Sequence, residues 1–160
     1  MDWNAVAYFS SLTARNKLAR KHNFYFCPVS GIENIEGVLH RMQNTANFVC
    51  VSETVEGGLN LNNTPHTRRI KDVFIIMRHQ IDNIPARNEC MAVMNELLRQ
   101  FMSDLQLENT RLDNSKLYLE PQVRFTELPQ YLFSGCAAIR FQVVANIYTD
   151  LQFNTSEWID

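Results

Sequence analysis

The stretch from Arg68 to Leu105, RRIKDVFIIMRHQIDNIPARNECMAVMNELLRQFMSDL, places an apolar strand directly before a long amphipathic helix. Both alternating faces of Val73–Met77 are apolar, which predicts a strand in the middle of a sheet. The helix then has Pro85 in its first turn, after Asp82 or Asn83 as the cap. Its apolar residues recur at helical spacing and form one stripe that faces a core. They are Cys90, Met91, Met94, Leu97, Leu98, Phe101, Met102 and Leu105.

Two stretches beyond this helix alternate between apolar and polar side chains, as half-buried strands do. The first runs from Leu117 to Phe125 and contains Pro121, which favours an edge or a bulge. The second runs from Ala137 to Tyr148, and its length suggests a backbone strand of the sheet. These stretches predict that the sheet continues after the helix.

The residues before Arg68 predict further elements in alternation. A helix is expected from Trp3 to about His22, a short strand over Asn23–Val29, a helix over Ile32–Met42 and a strand over Ala46–Thr54. Residues Val55–Thr67, VEGGLNLNNTPHT, predict a long exposed loop because they are rich in glycine and asparagine. The fold class indicated is α+β, with a single, largely antiparallel β-sheet packed against an amphipathic helix and with an N-terminal helix.

Length and composition indicate one globular domain. The chain has 160 residues, and we expect residues 1–149 to form the domain. Its 15 basic and 17 acidic residues give a net charge of −2, which predicts no specific nucleic-acid binding. No stretch reaches the ~20 apolar residues of a membrane-spanning helix, and the amino terminus lacks the pattern of a secretion signal. The 4 cysteines lie far apart in apolar contexts, which predicts reduced core thiols, as in cytosol.

Local motifs of catalysis are missing from the sequence. There is no His-x-x-x-His or Cys-x-x-Cys pair, no Gly-x-Ser-x-Gly elbow and no phosphate-binding glycine loop. Arg78-His79 is the most site-like dipeptide, and a strand end running into solvent explains it better. We therefore expect no enzymatic activity, no cofactor and no metal site. The alternative is a small α+β enzyme or ligand-binding domain whose site is dispersed along the sequence.

The carboxyl-terminal residues 150–160 are polar and turn-prone, yet they carry Leu151, Phe153, Trp158 and Ile159. Isolated tails rarely keep such side chains in water. The tail is therefore expected either to fold back onto its own domain or to dock on another subunit.

Two basic clusters are further candidates for contacts. Arg68, Arg69 and Lys71 lie at the base of the predicted loop, where they either pair with acidic residues of a neighbour or mark a solvated strand start. A second cluster over residues 15–21 either contacts phosphates or is the solvated end of the first helix. The candidate subunit-interface residues are Leu151, Phe153, Trp158, Ile159, Arg68 and Arg69.

The order of predicted elements, the Arg68–Leu105 stretch and the later stretch YLFSGCAAIRFQVVANIY together show a resemblance. They resemble the tail-terminator (tail-completion) proteins of long-tailed bacteriophages and small proteins from prophage regions of gut Bacteroidetes. The helix expected over Ile32–Met42 departs from the simplest family pattern, which leaves related neck or head-to-tail joining proteins open.

This resemblance implies a structural protein of virion assembly, found in the virion and in the host cytoplasm during assembly. Its subunits would form a ring, expected to be a hexamer, that caps the tail tube and joins it to the neck or head connector. A closed ring uses a heterologous interface, in which one face of each subunit meets a different face of the next. Residues 55–67 would then contact the tube or the neighbouring subunit, and the tail would act as a docking arm.

Overall fold

A computed structural model of the chain describes residues 3–29, 35, 37, 47–80, 82–128 and 135–159. The elements in chain order are helices α1 (Ala5–Arg15) and α2 (Lys17–Lys21), strands β1 (Phe24–Pro28), β2 (Asn47–Leu59) and β3 (His66–Arg78), helix α3 (Ile84–Arg111), strands β4 (Leu117–Leu119), β5 (Phe125–Leu128) and β6 (Cys136–Tyr148), and a short 3₁₀ helix (Thr155–Glu157). The helix predicted over Ile32–Met42 lies outside the described residues, apart from two isolated positions.

The strands form a single mixed sheet. Its order is β1-β2-β3-β6-β4, and β5 pairs with β6 beside β4. Strand β1 runs parallel to β2, whereas the pairs β2–β3, β3–β6, β4–β6 and β5–β6 are antiparallel. The predicted α+β class is confirmed, and so is the central position of β3, because it lies between β2 and β6.

The main core lies between this sheet and the helices α1 and α3. Phe9 of α1 is fully buried, and its ring lies 6.1 Å from Phe101 of α3 and 5.8 Å from Phe141 of β6. Within each strand the residues of this core, such as Val73 and Ile75 of β3, alternate with the others and therefore lie on one face. Burying each of these large side chains contributes about 1.5–3 kcal/mol to the free energy of unfolding, so this layer is the main source of stability.

A smaller core covers part of the opposite face of the sheet. Phe48, Phe74 and Ile76 are buried there together with the thiols of Cys50 and Cys136. Burial raises the pKa of the Cys50 thiol to about 12, so this side chain behaves as a small hydrophobic group. The middle of β3 is therefore buried on both faces, as its sequence predicted.

Helix α3 agrees with the predicted stripe and cap. The Asn83 side chain caps the helix, because its oxygen accepts a hydrogen bond of 3.0 Å from the backbone N–H of Ala86. The buried residues of the stripe are Met94, Leu97, Leu98, Phe101 and Leu105, and the half-buried ones are Cys90, Met91 and Met102. Within the described ranges, no helix has the length and apolar character that crossing a membrane would require.

The single helix predicted from Trp3 to His22 is wrong, because the chain breaks at Asn16. The backbone of Asn16 is extended, and its side-chain oxygen accepts from the N–H of Ala19, which starts α2. Its amide group also donates to Gln100 of α3 over 2.8 Å. A polar contact between distant elements therefore fixes the break, which periodicity does not reveal.

The long loop predicted over Val55–Thr67 is also wrong. Strand β2 continues to Leu59 and β3 already starts at His66, so residues 60–65 alone connect them. Register shifts between Val51 and Thr54 and again before Glu56 accommodate the irregular sequence. Cross-strand hydrogen bonds to β3 thus outweigh the weak strand propensity of the glycine-rich stretch.

The strand predicted from Leu117 to Phe125 is two short strands, β4 and β5, on the same edge of β6. Pro121 lies between them, where its missing N–H does not interrupt a ladder. The predicted edge position is therefore confirmed, whereas the predicted continuity is wrong.

Candidate functional site

The last residues of the chain leave the sheet at the end where β2 and β3 are joined. There the backbone N–H of Thr149 donates to the carbonyl of Pro65 over 2.9 Å. The hydroxyl groups of Thr67 and Thr149 are also hydrogen bonded to each other. Beyond this anchor the chain forms what we name the C-terminal arm, residues 150–160, of which 150–159 are described.

The large apolar side chains of the C-terminal arm lie in solvent. Leu151, Phe153, Trp158 and Ile159 are 43%, 74%, 66% and 101% exposed. The rings of Phe153 and Trp158 stack on each other at 5.8 Å, so their contact is within the arm. Clustered apolar groups of this kind are typical of surfaces that another molecule covers.

Short hydrogen bonds shape the C-terminal arm from within. The Asp150 carboxylate accepts from the backbone N–H of Gln152 over 2.9 Å. Asn154 accepts from the backbone N–H of Ser156 over 3.1 Å and so caps the 3₁₀ helix. Such local turns restrict the conformations of the free arm, so the arm loses less conformational entropy when it binds a partner.

The C-terminal arm is acidic as well as apolar. Its sequence, DLQFNTSEWID, contains the carboxylates of Asp150, Glu157 and Asp160 and no lysine or arginine. A surface that binds the arm should therefore combine an apolar floor with cationic groups.

The two arginines that the sequence grouped at the predicted loop lie on opposite faces of β3. Successive side chains of a strand alternate between the faces of a sheet. Arg68 faces away from the helices and donates two hydrogen bonds to Glu120, at 2.6 and 3.2 Å. Arg69 faces the helix side, and its side chain makes no hydrogen bond or ion pair with any described residue. Their surroundings, and so their possible partners, therefore differ.

The ion pair of Arg68 belongs to a polar row across the outer face of the sheet. The hydrogen bond from Arg68 lowers the pKa of the Glu120 carboxyl, and the Asn146 amide donates to the same carboxylate. Next to it, Arg140 lies 2.9 Å from the Asp72 carboxylate. Cations and anions therefore pair across neighbouring strands on this face, Arg68 with Glu120 and Arg140 with Asp72.

On the helix side of the same sheet end, a groove of about 300 Å³ opens beyond the first residue of α1. We name it the Trp3 groove. Its floor is the helix-side face of β6, where Val143 and Ala145 are 3% and 6% exposed. Its other lining residues include Trp3, Glu53, Thr54, Arg69, Lys71 and Ile147.

The Trp3 groove has a cationic side. Arg69 is exposed and Lys71 is half-buried, and the Lys71 ammonium donates to the carbonyl of Ser52 over 3.4 Å. The carboxylate of Glu53 is the anionic group among the lining residues. The groove therefore presents two cations and one anion above an apolar floor.

A larger and more open cleft of about 720 Å³ lies at the turn between β2 and β3. The ring of His66 lies edge-on to Tyr118 at 5.7 Å and to Tyr148 at 5.9 Å. The Nδ1 atom of His66 lies 2.8 Å from the carbonyl oxygen of Thr64. These contacts fasten the turn to the last strand, close to where the C-terminal arm begins.

The basic cluster over residues 15–21 is partly engaged within the domain. Arg15 lies 2.7 Å from the Asp104 carboxylate, which also accepts a hydrogen bond of 2.8 Å from the Tyr8 hydroxyl. Burial acts to raise the pKa of Asp104, but the hydrogen bonds from Arg15 and Tyr8 outweigh it and lower the pKa. Burial, together with the bond to Asp104, raises the pKa of Tyr8. The contacts of Arg15 and Tyr8 with Asp104 therefore join α1 to α3.

The Arg78-His79 dipeptide lies where β3 ends. The backbone N–H of His79 donates to the carbonyl of Gly135, and its Nδ1 lies 2.8 Å from the carbonyl oxygen of Gln80. In the part of the chain that the structure describes, no group of three or more His, Cys, Asp or Glu side chains is arranged to hold a metal ion.

Sequence reasoning missed the Trp3 groove, although one signal pointed to it. Arg69 and Lys71 have the same parity as Val73 and Ile75, so charged side chains continue a row of core residues. Such a row predicts that the covering helices end before the strand does. A scan against protein-family models finds no match for this chain, and a search of curated proteins finds none either.

Proposed function

We propose that this protein is a structural component of virion assembly whose copies associate through the C-terminal arm into a closed ring. The observation that carries the proposal is the exposure of Phe153 and Trp158, at 74% and 66%, on a segment that extends from an otherwise well-buried domain. Two such aromatic side chains provide the kind of anchor that dominates the binding energy of protein interfaces.

The arm and the domain that receives it are unlike surfaces, so each copy can pass its arm to a different neighbour in a heterologous contact. A heterologous contact repeats from copy to copy, and it closes into a ring when the rotation between neighbours divides a full turn. The part that such a protein plays is mechanical and depends on its shape.

Within this class, the tail terminator or a related head-to-tail joining protein of a long-tailed phage is the proposed identity. The support is the order of elements and the two stretches that resemble these proteins, Arg68–Leu105 and Tyr131–Tyr148. The ring, expected to be a hexamer, would cap the tail tube on one side and offer its other side to the neck or connector.

Light scattering and negative-stain electron microscopy of the concentrated protein test this proposal, with and without purified phage tail tubes. We expect rings, or decoration of tube ends, for the natural chain. The double variant Phe153→Ser/Trp158→Ser should remain monomeric and leave the tubes bare. Tyr25→Ser is the matched control, because Tyr25 is 51% exposed but lies on β1, away from the arm. A chain that stays monomeric at every concentration and ignores the tubes would contradict the proposal.

A further inference from the structure

We propose that the Trp3 groove of one subunit receives the C-terminal arm of the next subunit. This inference deepens the proposed function and rests on it for the ring, but it makes a separate claim about which surface the arm enters. It therefore assigns a role to Arg69 and Lys71 that is distinct from that of Arg68.

Charge complementarity is the first argument. The arm carries three carboxylate side chains and no basic residue. The groove offers the guanidinium of Arg69, which has no side-chain partner among the described residues, and the ammonium of Lys71. Opposite charges placed in this way steer the encounter and set the orientation of the bound segment. The single carboxylate of Glu53 leaves the groove with a net positive charge.

Apolar complementarity is the second argument. The floor consists of Val143 and Ala145, which are buried members of the main core, and of the half-buried Ile147 near the end of β6. The half-buried Trp3 ring lies at its side. A volume of about 300 Å³ is at the small end for a binding pocket, so it suits one aromatic anchor of the arm rather than the whole arm.

The arm of the same chain does not occupy the groove in this structure. It leaves at Thr149, and its Phe153 and Trp158 rings stack on each other in solvent. A second copy can place its arm in the open groove while its own groove takes the arm of a third copy. Each docked arm would then extend the covered part of the sheet, and the contact would propagate as a ring requires.

The two tryptophans of the chain provide a direct readout. Trp158→Phe keeps an aromatic ring in the arm and leaves Trp3, at the groove, as the single tryptophan. In the full-length variant we expect the Trp3 emission to shift to shorter wavelength as the protein concentration rises. Reversing the groove charges with Arg69→Glu/Lys71→Glu should move the midpoint of this shift to about tenfold higher concentration or more.

The matched control is Lys17→Glu/Arg20→Glu, which changes the net charge by the same amount on exposed positions of α2. It should leave the midpoint where it was. A Trp3 emission wavelength that does not change with protein concentration would overturn the inference. An equal change of the midpoint in the groove variant and the control variant would also overturn it.

Mixing two defective chains then tests the pairing of the surfaces. The groove variant Arg69→Glu/Lys71→Glu and the arm variant Phe153→Ser/Trp158→Ser should each be monomeric alone. Together they should form a one-to-one dimer that does not grow, because one intact arm and one intact groove remain. Rings that persist in the groove variant would overturn this inference but not the proposed function. A dimer in the mixture, with no rings or tube decoration by the natural chain, would support the inference and contradict the proposed function.

Discussion

The two ends of the sheet are built from the same strands and differ in what covers them. At one end, Val73–Met77 of β3 and Cys136–Ile139 of β6 are buried, with helices on one face and the smaller core on the other. At the other end, Thr67–Lys71 and the last residues of β6 meet an ion-paired outer face and the open Trp3 groove. In the pair β3–β6, one half therefore stabilises the fold through burial, and the other half is available for binding.

This difference separates two kinds of energetic contribution. Large side chains at the covered end contribute about 1.5–3 kcal/mol each through burial. Ion pairs at the open end, such as Arg68–Glu120, are partly exposed and contribute about 0–1 kcal/mol each. Substitutions at the covered end should therefore change unfolding, and substitutions at the open end should mainly change association.

The largest effect is expected from Met94→Asp in α3. Met94 is fully buried against the sheet, and a carboxylate there would have no partner. We expect a loss of about 4 kcal/mol in the free energy of unfolding, measured by urea denaturation. Ala92→Asp is the control, because Ala92 is exposed two residues earlier on the same helix. If Met94→Asp unfolds like the natural chain, the assignment of the core face is wrong.

Phe74→Ala tests the opposite face of the same end. Phe74 is 1% exposed and packs in the smaller core with Phe48 and Ile76. We expect a loss of about 3 kcal/mol, since truncation removes a large buried ring and leaves a cavity. Phe125→Ala, at a position that is 56% exposed on β5, should change the urea midpoint little. Equal effects of the two substitutions would show that burial does not distinguish them.

Glu120→Gln at the open end should have a small effect that depends on pH. Arg68 lowers the pKa of Glu120 in the folded chain, so the ion pair adds stability above the ordinary pKa of a glutamate. That contribution disappears as the pH falls through the lowered value. We expect Glu120→Gln to lose about 0.5 kcal/mol at pH 7 and to approach the natural chain as the pH falls through the lowered pKa of Glu120.

Thermal unfolding at several pH values measures this difference. Glu89→Gln removes the same charge from an exposed position of α3 and should leave stability at pH 7 almost unchanged. A constant difference between Glu120→Gln and the natural chain across the pH range would rule out the ion pair as its cause.

The smallest effect on stability is expected from removing residues 150–160. The described side chains of the arm are exposed or anchored by short local contacts, so the domain loses little burial. We expect the melting temperature of the dilute monomer to stay within a few degrees while assembly is lost. A large drop in the melting temperature would show that the arm belongs to the core of its own domain.

Much of the covered end was predictable from local pattern. The apolar run of β3, the stripe and Asn83 cap of α3 and the alternation of β6 each appear in a short window of sequence. The errors fall where distant residues decide the outcome. Asn16 breaks the first helix through Gln100, and β3 draws the glycine-rich part of β2 into the sheet.

The sequence by itself determined the two-faced apolar middle of β3, the amphipathic α3 and the acidic, aromatic character of the arm. Each of these is a property of residues close together in the sequence, because the periodicity of apolar residues and the local charge depend only on such residues. Only the tertiary structure decided that Arg68 is paired with Glu120 while Arg69 borders an open groove. The lining residues of that groove come from the segment before α1 and from β2, β3 and β6. They lie far apart in the sequence, so the groove forms only when the helices pack on the sheet and leave the ends of these strands uncovered.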